Sequence, residues 1–135
     1  KENNLSYHDF IIIYPGKRLK NFNLEDDFFN KLTQKNIPFT WVTRDQDSKS
    51  NFSLHDNTIK ISTIYSAKGM DFEAVSVIAC DCIRSDEPEA ELYTSATRAR
   101  KYLIMTTGGS NHKVEKILDY SYQSSVDWLD KFENK

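Results

Sequence analysis

The sequence has 135 residues, a length that fits one domain with one hydrophobic core. Eighteen Lys and Arg against twenty Asp and Glu give a formal net charge of −2, which excludes a global basic field, so any contact with a polyanion must be local. The composition, 39% hydrophobic and 28% charged, is typical of a soluble globular domain, and the longest apolar run, Phe10 to Tyr14, is far shorter than the ~20 residues of a membrane span.

The first half of the chain has the pattern of a strand, a helix and a strand. The apolar, β-branched run Phe10 to Tyr14 is typical of a strand buried on both faces of a parallel sheet. An apolar side chain at every fourth position from Leu24 predicts a helix that ends near Asn36, and alternation over 37–43 predicts a second strand. Residues 44–57, rich in Asp, Ser, Asn and Lys, predict an exposed loop.

The second half repeats the alternation of strands and helices. Residues 58–64 and 74–80 predict two strands, and capping residues, a proline and acids at Ser85 to Glu89 predict the start of a helix that runs to about Arg100. Tyr102 to Thr106 then predicts another strand, and an amphipathic stretch closes the chain. Because the strands are too apolar to face water, we expect a three-layer α/β domain with a mainly parallel sheet. Ligands in such folds gather at the carboxyl ends of the strands.

The two cysteines, Cys80 and Cys82, flank Asp81 in a stretch that reads as a strand. Side chains two apart on a strand share a face without the geometry of a disulfide, so we interpret both as reduced thiols. The three histidines are scattered and complete no metal-ligand spacing with these thiols, so we expect no metal site.

The segment Tyr65 to Phe72 is the first candidate for binding chemistry. It follows a predicted strand and supplies a cation at Lys68, a glycine at Gly69 and a carboxylate at Asp71, a combination that can meet a phosphate. It is not a P-loop, because Gly-x-x-x-x-Gly-Lys-[Ser/Thr] occurs nowhere in the chain. A strand-to-helix turn with solvated charges explains the same residues without a ligand.

The segment Tyr93 to Arg100 is the second candidate. Arg98, Arg100 and Lys101 form the densest positive cluster in the sequence, at the predicted carboxyl end of a helix. Such a cluster can bind an anion, but basic residues also stabilise a helix carboxyl end with no ligand at all.

Together the two segments resemble a known family. Ile61 to Phe72 resembles motif V of the UvrD/Rep-type superfamily 1 helicases, and Glu91 to Arg100 resembles their motif VI, in the family's order and separation. Phe10 to Arg18 and Asn36 to Phe39 look like the motif IVa region. The resemblance covers roughly Phe10 to Thr107.

The resemblance implies the second RecA-like motor domain of an ATP-dependent DNA helicase, a P-loop NTPase-type fold that lacks the P-loop itself. In that family ATP with Mg²⁺ lies between two RecA-like domains, and the first domain supplies the P-loop and the magnesium ligands. Residues 1–135 would then be one domain of a larger cytoplasmic protein, inactive alone, with its own first RecA-like domain and single-stranded DNA as partners. The loop over 44–57 stands where many relatives insert an accessory domain.

The same resemblance assigns roles to single residues. Arg98 would be the catalytic arginine finger on the γ-phosphate, and Asp71 would stand where a glutamate commonly approaches the ribose. Lys68 and Gly69 would shape that cofactor-binding turn. A guanidinium suits the first role because it is always charged and its fork matches phosphate oxygens.

Thr63 and Tyr65 occupy the positions at which motif V contacts the single-strand backbone. A threonine hydroxyl and a phenol can bond phosphates without reading bases, and the tyrosine ring can stack on a base. Two other interpretations stay open: a degenerate RecA-like scaffold or partner-binding module of a DNA repair complex, and a self-contained nucleotide- or phosphate-binding domain.

Overall fold

A computed structural model describes residues 4–16, 24–43, 53 and 55–133 of the chain. The strands in these residues are β1 Phe10–Tyr14, β2 Phe39–Trp41, β3 Ile59–Thr63, β4 Phe72–Val77 and β5 Ala99–Met105. The helices are α1 Asn30–Gln34, which continues a π-helical turn Leu24–Phe29, α2 Pro88–Ala96 and α3 His112–Glu133. Two short 3₁₀ turns, Tyr7–Asp9 and Cys80–Cys82, complete the regular structure of the described chain.

The five strands form one sheet in the order β2-β3-β1-β4-β5, and every neighbouring pair is parallel. Strand β1 is central, because it is hydrogen-bonded to β3 on one side and to β4 on the other. This position explains its unbroken apolar sequence: Ile11, Ile13 and Tyr14 are buried, and Phe10 and Ile12 are half-buried.

Two apolar clusters lie on opposite faces of the sheet. On one face Ile11 and Ile13 stand beside Val75 and Val77 and pack with Leu92 of α2 and Val114 of α3; all six belong to one buried cluster. On the other face Tyr14 and Ile61 pack with Phe28, Phe29 and Leu32 from the α1 region. Helices therefore cover both faces, which confirms the three-layer α/β architecture with a parallel sheet.

Helix α2 is shorter than the sequence pattern predicts. It ends at Ala96, and Ala99 already belongs to β5, whereas we expected the helix to reach about Arg100. The amide of Phe72 donates to the carbonyl oxygen of Arg98 at 2.8 Å, so pairing with β4 draws the chain into the sheet. Tertiary pairing here overrides the helix propensity of Ala and Arg.

The cysteine segment also differs from the prediction. Cys80 and Cys82 lie in a 3₁₀ turn and not in a strand, because Ala79 adopts a left-handed conformation with φ of 54° and ends the extended run. Both cysteines are free, as interpreted from the sequence. Burial raises the pKa of the Cys80 thiol to about 11, so this thiol is protonated and unreactive at neutral pH.

Other expectations concern the loop and the membrane. The predicted loop 44–57 lies mostly outside the described residues. Among the helices of the described chain, none is long and apolar enough to span a bilayer.

Asp81 fastens the turn between β5 and α3. Its carboxylate accepts hydrogen bonds from the amide of Gly108 at 2.9 Å and from the hydroxyl of Ser110 at 2.6 Å. A Cβ at position 108 would stand 3.0 Å from this carboxylate, so a larger residue there would require the Asp81 side chain to shift. The bonds from Gly108 and Ser110 hold the pKa of Asp81 below its ordinary value.

We expect Asp81→Asn to lower the free energy of unfolding of this chain by about 1 kcal/mol at neutral pH, because the amide group cannot accept the full set of bonds. The pKa is lowered in the folded state, so the ionised carboxylate stabilises the fold above its unfolded pKa of about 4, and this contribution is lost as the pH falls through the folded pKa. Urea titrations between pH 7 and pH 3 should show the difference between the two proteins shrinking at low pH. A constant difference would contradict the role of the charge.

Candidate functional site

The segment between β3 and β4 runs from one edge of the sheet to the other. Thr63 ends β3 at the carboxyl edge, beside the last residue of β1, and Phe72 begins β4 at the opposite, amino edge. Because the two strands are parallel, the eight residues 64–71 must make this return. They do so as a series of turns that begins with amide bonds from Ser66 to the Thr63 hydroxyl at 3.3 Å and from Ala67 to the Thr63 carbonyl at 3.2 Å.

The middle of this return segment is anchored and its start is exposed. Ala67 is buried in the core cluster, whereas Tyr65 is 75% exposed. The Lys68 ammonium lies 4.9 Å from the centroid of the Tyr65 ring, within the range of a cation–π interaction. Gly69 has a φ of 81°, a backbone conformation that residues other than glycine rarely adopt. The segment therefore presents an aromatic ring and a cation together on a fixed support.

The end of the return segment meets the end of α2. The Asp71 carboxylate lies 4.0 Å from Nη1 of Arg98, and the bond from the Phe72 amide to the Arg98 carbonyl joins the two backbones. The Arg98 side chain is 19% exposed and that of Asp71 is 52% exposed. The resemblance assigns both residues to one nucleotide site, although Asp71 lies in the segment similar to motif V and Arg98 in the segment similar to motif VI. The fold brings the two side chains together.

The Arg98 guanidinium is held by residues at the end of α2 and directly after it. Its Nε donates to the carbonyl oxygen of Thr94 and its Nη2 donates to the hydroxyl of Thr97, both at 3.1 Å. Sequence reasoning missed Thr97. The only signal in the sequence is a hydroxyl directly before the arginine, and that signal acquires meaning only with the side-chain conformation.

The predicted basic cluster is divided by the fold. Arg100 and Lys101 lie on β5, not on the helix, and both reach the carboxylate of Glu73, at 3.6 Å and 3.3 Å respectively. Phe72 pairs with Ala99 and Ala74 pairs with Tyr102, so β5 has one extra residue between these two pairs, which is a β-bulge. The bulge lets the adjacent side chains of Arg100 and Lys101 contact the same acid. Arg98 pairs instead with Asp71, so the three cations have two different carboxylate partners.

The predicted site residues thus form two groups at opposite edges. Thr63 and Tyr65 lie at the carboxyl edge of β3, where ligands of α/β sheets are expected. Asp71 and Arg98 lie at the amino edge of β4 and β5, contrary to that general expectation, with Lys68 and Gly69 between the two groups. Within the described residues no group of three or more His, Cys, Asp or Glu side chains could hold a metal ion.

Comparisons with known proteins bear on both motifs. Residues 58–106, a range that includes all six predicted site residues, match the family model described as the UvrD-like helicase C-terminal domain. The RecBCD enzyme subunit RecB of Chlamydia muridarum (strain MoPn / Nigg) is 30% identical over 95 residues, which are 64% of this chain and 9% of that protein. RecB of Chlamydia trachomatis serovar D is 32% identical over 76 residues, which are 52% of this chain and 7% of that protein.

A solved structure supports the same conclusion for the fold. The crystal structure of the C-terminal domain of a possible DNA helicase from Lactobacillus plantarum WCFS1 matches with a TM-score of 0.52 at 18% identity, over 78% of this chain and 60% of that chain. The present chain spans less than a tenth of the length of the two RecB proteins. These findings confirm the resemblance to the C-terminal domain of UvrD-like helicases and the RecA-like α/β fold that it implied.

Proposed function

We propose that this chain, whose residues 58–106 carry the sequence of a UvrD-like helicase C-terminal domain, is the second motor domain of a cytoplasmic ATP-dependent DNA helicase. The observation that carries the proposal is the meeting of Asp71 and Arg98, with 4.0 Å between carboxylate and guanidinium. The two residues come from different motifs, and both are partly open to solvent at one edge of the sheet.

The chain offers half of a nucleotide site. Arg98 supplies a permanent positive charge for phosphate oxygens and Asp71 supplies a carboxylate for a ribose, with Lys68 and Gly69 forming the turn before it. The sequence contains no P-loop, and the described residues contain no cluster of acids for a magnesium ion. The groups present therefore fit one side of ATP with Mg²⁺, and the first RecA-like domain is required for the other side.

The guanidinium is free to exchange its partner. A pair with 4.0 Å between charged atoms and a half-exposed carboxylate is weak, since solvent screens it. Nη1 of Arg98 can therefore exchange the Asp71 carboxylate for a phosphate oxygen at small cost. When bound, the nucleotide supplies the phosphoryl group that is transferred, and Arg98 neutralises the charge that develops on its oxygens.

The nucleic-acid contacts lie at the other edge. The exposed Tyr65 ring can stack on a base, and the hydroxyl of Thr63 can donate to a phosphate oxygen while it accepts from the Ser66 amide. Neither contact reads a sequence, which suits a motor that moves along any single strand.

Isothermal calorimetry on the isolated chain tests the half-site proposal. We expect no stoichiometric complex with ATP and Mg²⁺, and a dissociation constant in the millimolar range or weaker, because the phosphate-binding groups of the first domain are required. A stable one-to-one complex would instead favour a self-contained nucleotide-binding domain.

The sequence of the intact protein distinguishes the motor proposal from the degenerate-scaffold interpretation. A motor requires Gly-x-x-x-x-Gly-Lys-[Ser/Thr] in the domain that precedes this one, because those residues hold the phosphates. A degenerate scaffold would lack that sequence.

A further inference from the structure

The end of α2 leaves one backbone carbonyl available to side chains. The last carbonyl groups of a helix have no partner within the helix. Here the Tyr93 carbonyl accepts from the Thr97 amide at 3.0 Å, and the Ser95 carbonyl accepts from the Arg98 amide at 3.1 Å. The Thr94 carbonyl between them accepts side-chain bonds instead, from the Thr97 hydroxyl and from Nε of Arg98, both at 3.1 Å.

These contacts close a small ring of hydrogen bonds. The Thr97 hydroxyl donates its single proton to the Thr94 carbonyl. Its oxygen can then only accept further bonds, and it accepts one from Nη2 of Arg98 at 3.1 Å. The guanidinium is thus bound through two neighbouring nitrogens, and two bonds on one edge of a planar group fix the plane. The Nη1 end, which faces Asp71, is the end left for a ligand.

We propose that Thr97 is a positioning residue, which holds the Arg98 guanidinium in the plane and direction that meet the nucleotide. This inference rests on the proposed function, since it concerns the aim of the proposed arginine finger. An arginine side chain loses much rotamer freedom when it is fixed, and a finger that is already fixed before the nucleotide arrives avoids that loss during the reaction.

The decisive variant is Thr97→Val in the intact helicase. Valine keeps the β-branched shape and removes the hydroxyl, so both hydrogen bonds are lost. We expect the kcat of DNA-stimulated ATP hydrolysis to fall about tenfold, because the guanidinium is no longer held in the productive direction, while the KM for ATP and the melting temperature stay unchanged. Thr97→Ser, which restores the hydroxyl, should restore kcat.

Thr33→Val is the matched control. The Thr33 hydroxyl on α1 also donates to a helix carbonyl, that of Phe29 at 3.1 Å, but the described contacts connect it to no guanidinium. The same loss of a hydroxyl on a helix should therefore leave kcat at the wild-type value.

A double variant tests the coupling directly. In an Arg98→Lys background, Thr97→Val should cause no further loss, because an ammonium lacks the paired Nε and Nη2 donors. An equal, additive loss in both backgrounds would overturn the inference, as would a drop in melting temperature that serine does not repair.

The outcomes distinguish the two proposals. If Arg98→Ala removes activity but Thr97→Val equals the wild type, the positioning role fails and the motor assignment stands. If Arg98→Ala itself turns over ATP at the wild-type rate, the proposed function fails, and the role of Thr97 fails with it.

Discussion

Under the proposed function, Arg98→Ala in the intact protein is expected to reduce DNA-stimulated ATP hydrolysis by about 10³- to 10⁵-fold, the range known for the loss of an arginine finger. The reason is the position of the guanidinium: it is tied to the end of α2, it faces Asp71, and it is partly open at the edge of the sheet. Such a charge interacts more strongly with the transition state than with the nucleotide in its ground state. The affinity for ATP should therefore change little, which equilibrium binding of a fluorescent ATP analogue can measure beside steady-state turnover.

Arg100→Ala is the matched control for that experiment. Arg100 lies two residues further along the chain, is 62% exposed and pairs with Glu73, not with Asp71. Loss of the same charge there should leave turnover near the wild-type rate. Equal losses in both variants would mean that net charge, and not a directed guanidinium, supports the reaction.

Tyr65→Ala should weaken binding of single-stranded DNA by about 1–3 kcal/mol, or roughly 5- to 150-fold, because a base loses its stacking surface. Fluorescence anisotropy with a short labelled oligonucleotide measures this loss in the intact protein. Tyr65→Phe keeps the ring and should keep most of the affinity. The slope of affinity against salt should stay the same in both variants, since neither changes a charge.

Tyr120→Ala supplies the control for exposed aromatic area. Tyr120 on α3 is 75% exposed, the same fraction as Tyr65, but it lies outside both motifs. Its loss should not alter DNA affinity. A similar loss for both tyrosines would point to non-specific binding and remove Tyr65 from the proposed interface.

The layered fold could be predicted from sequence because its strongest pattern has one physical cause. The run Phe10 to Tyr14 is apolar at every position since β1 is central, and Phe28 and Leu32, four residues apart, lie on the face of a helical segment that packs on that sheet. Burial on one face produces a periodic spacing of apolar residues, and burial on both faces produces a continuous apolar run. Intrinsic propensity alone produces neither pattern.

Other features depend on pairings that leave no local signal. The end of α2 was misplaced because Arg98 to Lys101 favour a helix locally, and only the hydrogen bonds to β4 draw them into the sheet. The turn at Cys80 was missed because Ala79 adopts a left-handed conformation with no glycine to mark it. The ring of bonds around Thr97 depends on side-chain rotamers, which a sequence pattern does not specify.

The return segment 64–71 carries residues of both proposed sites. Tyr65, near its start, belongs to the proposed contacts with single-stranded DNA, and Asp71, its last residue, lies 4.0 Å from the proposed arginine finger. Ala67, between them, is buried in the core cluster. The two proposed sites are therefore joined by eight residues of one continuous backbone. In the proposed motor, the tyrosine that contacts the single strand and the carboxylate beside the nucleotide would lie on this same short segment.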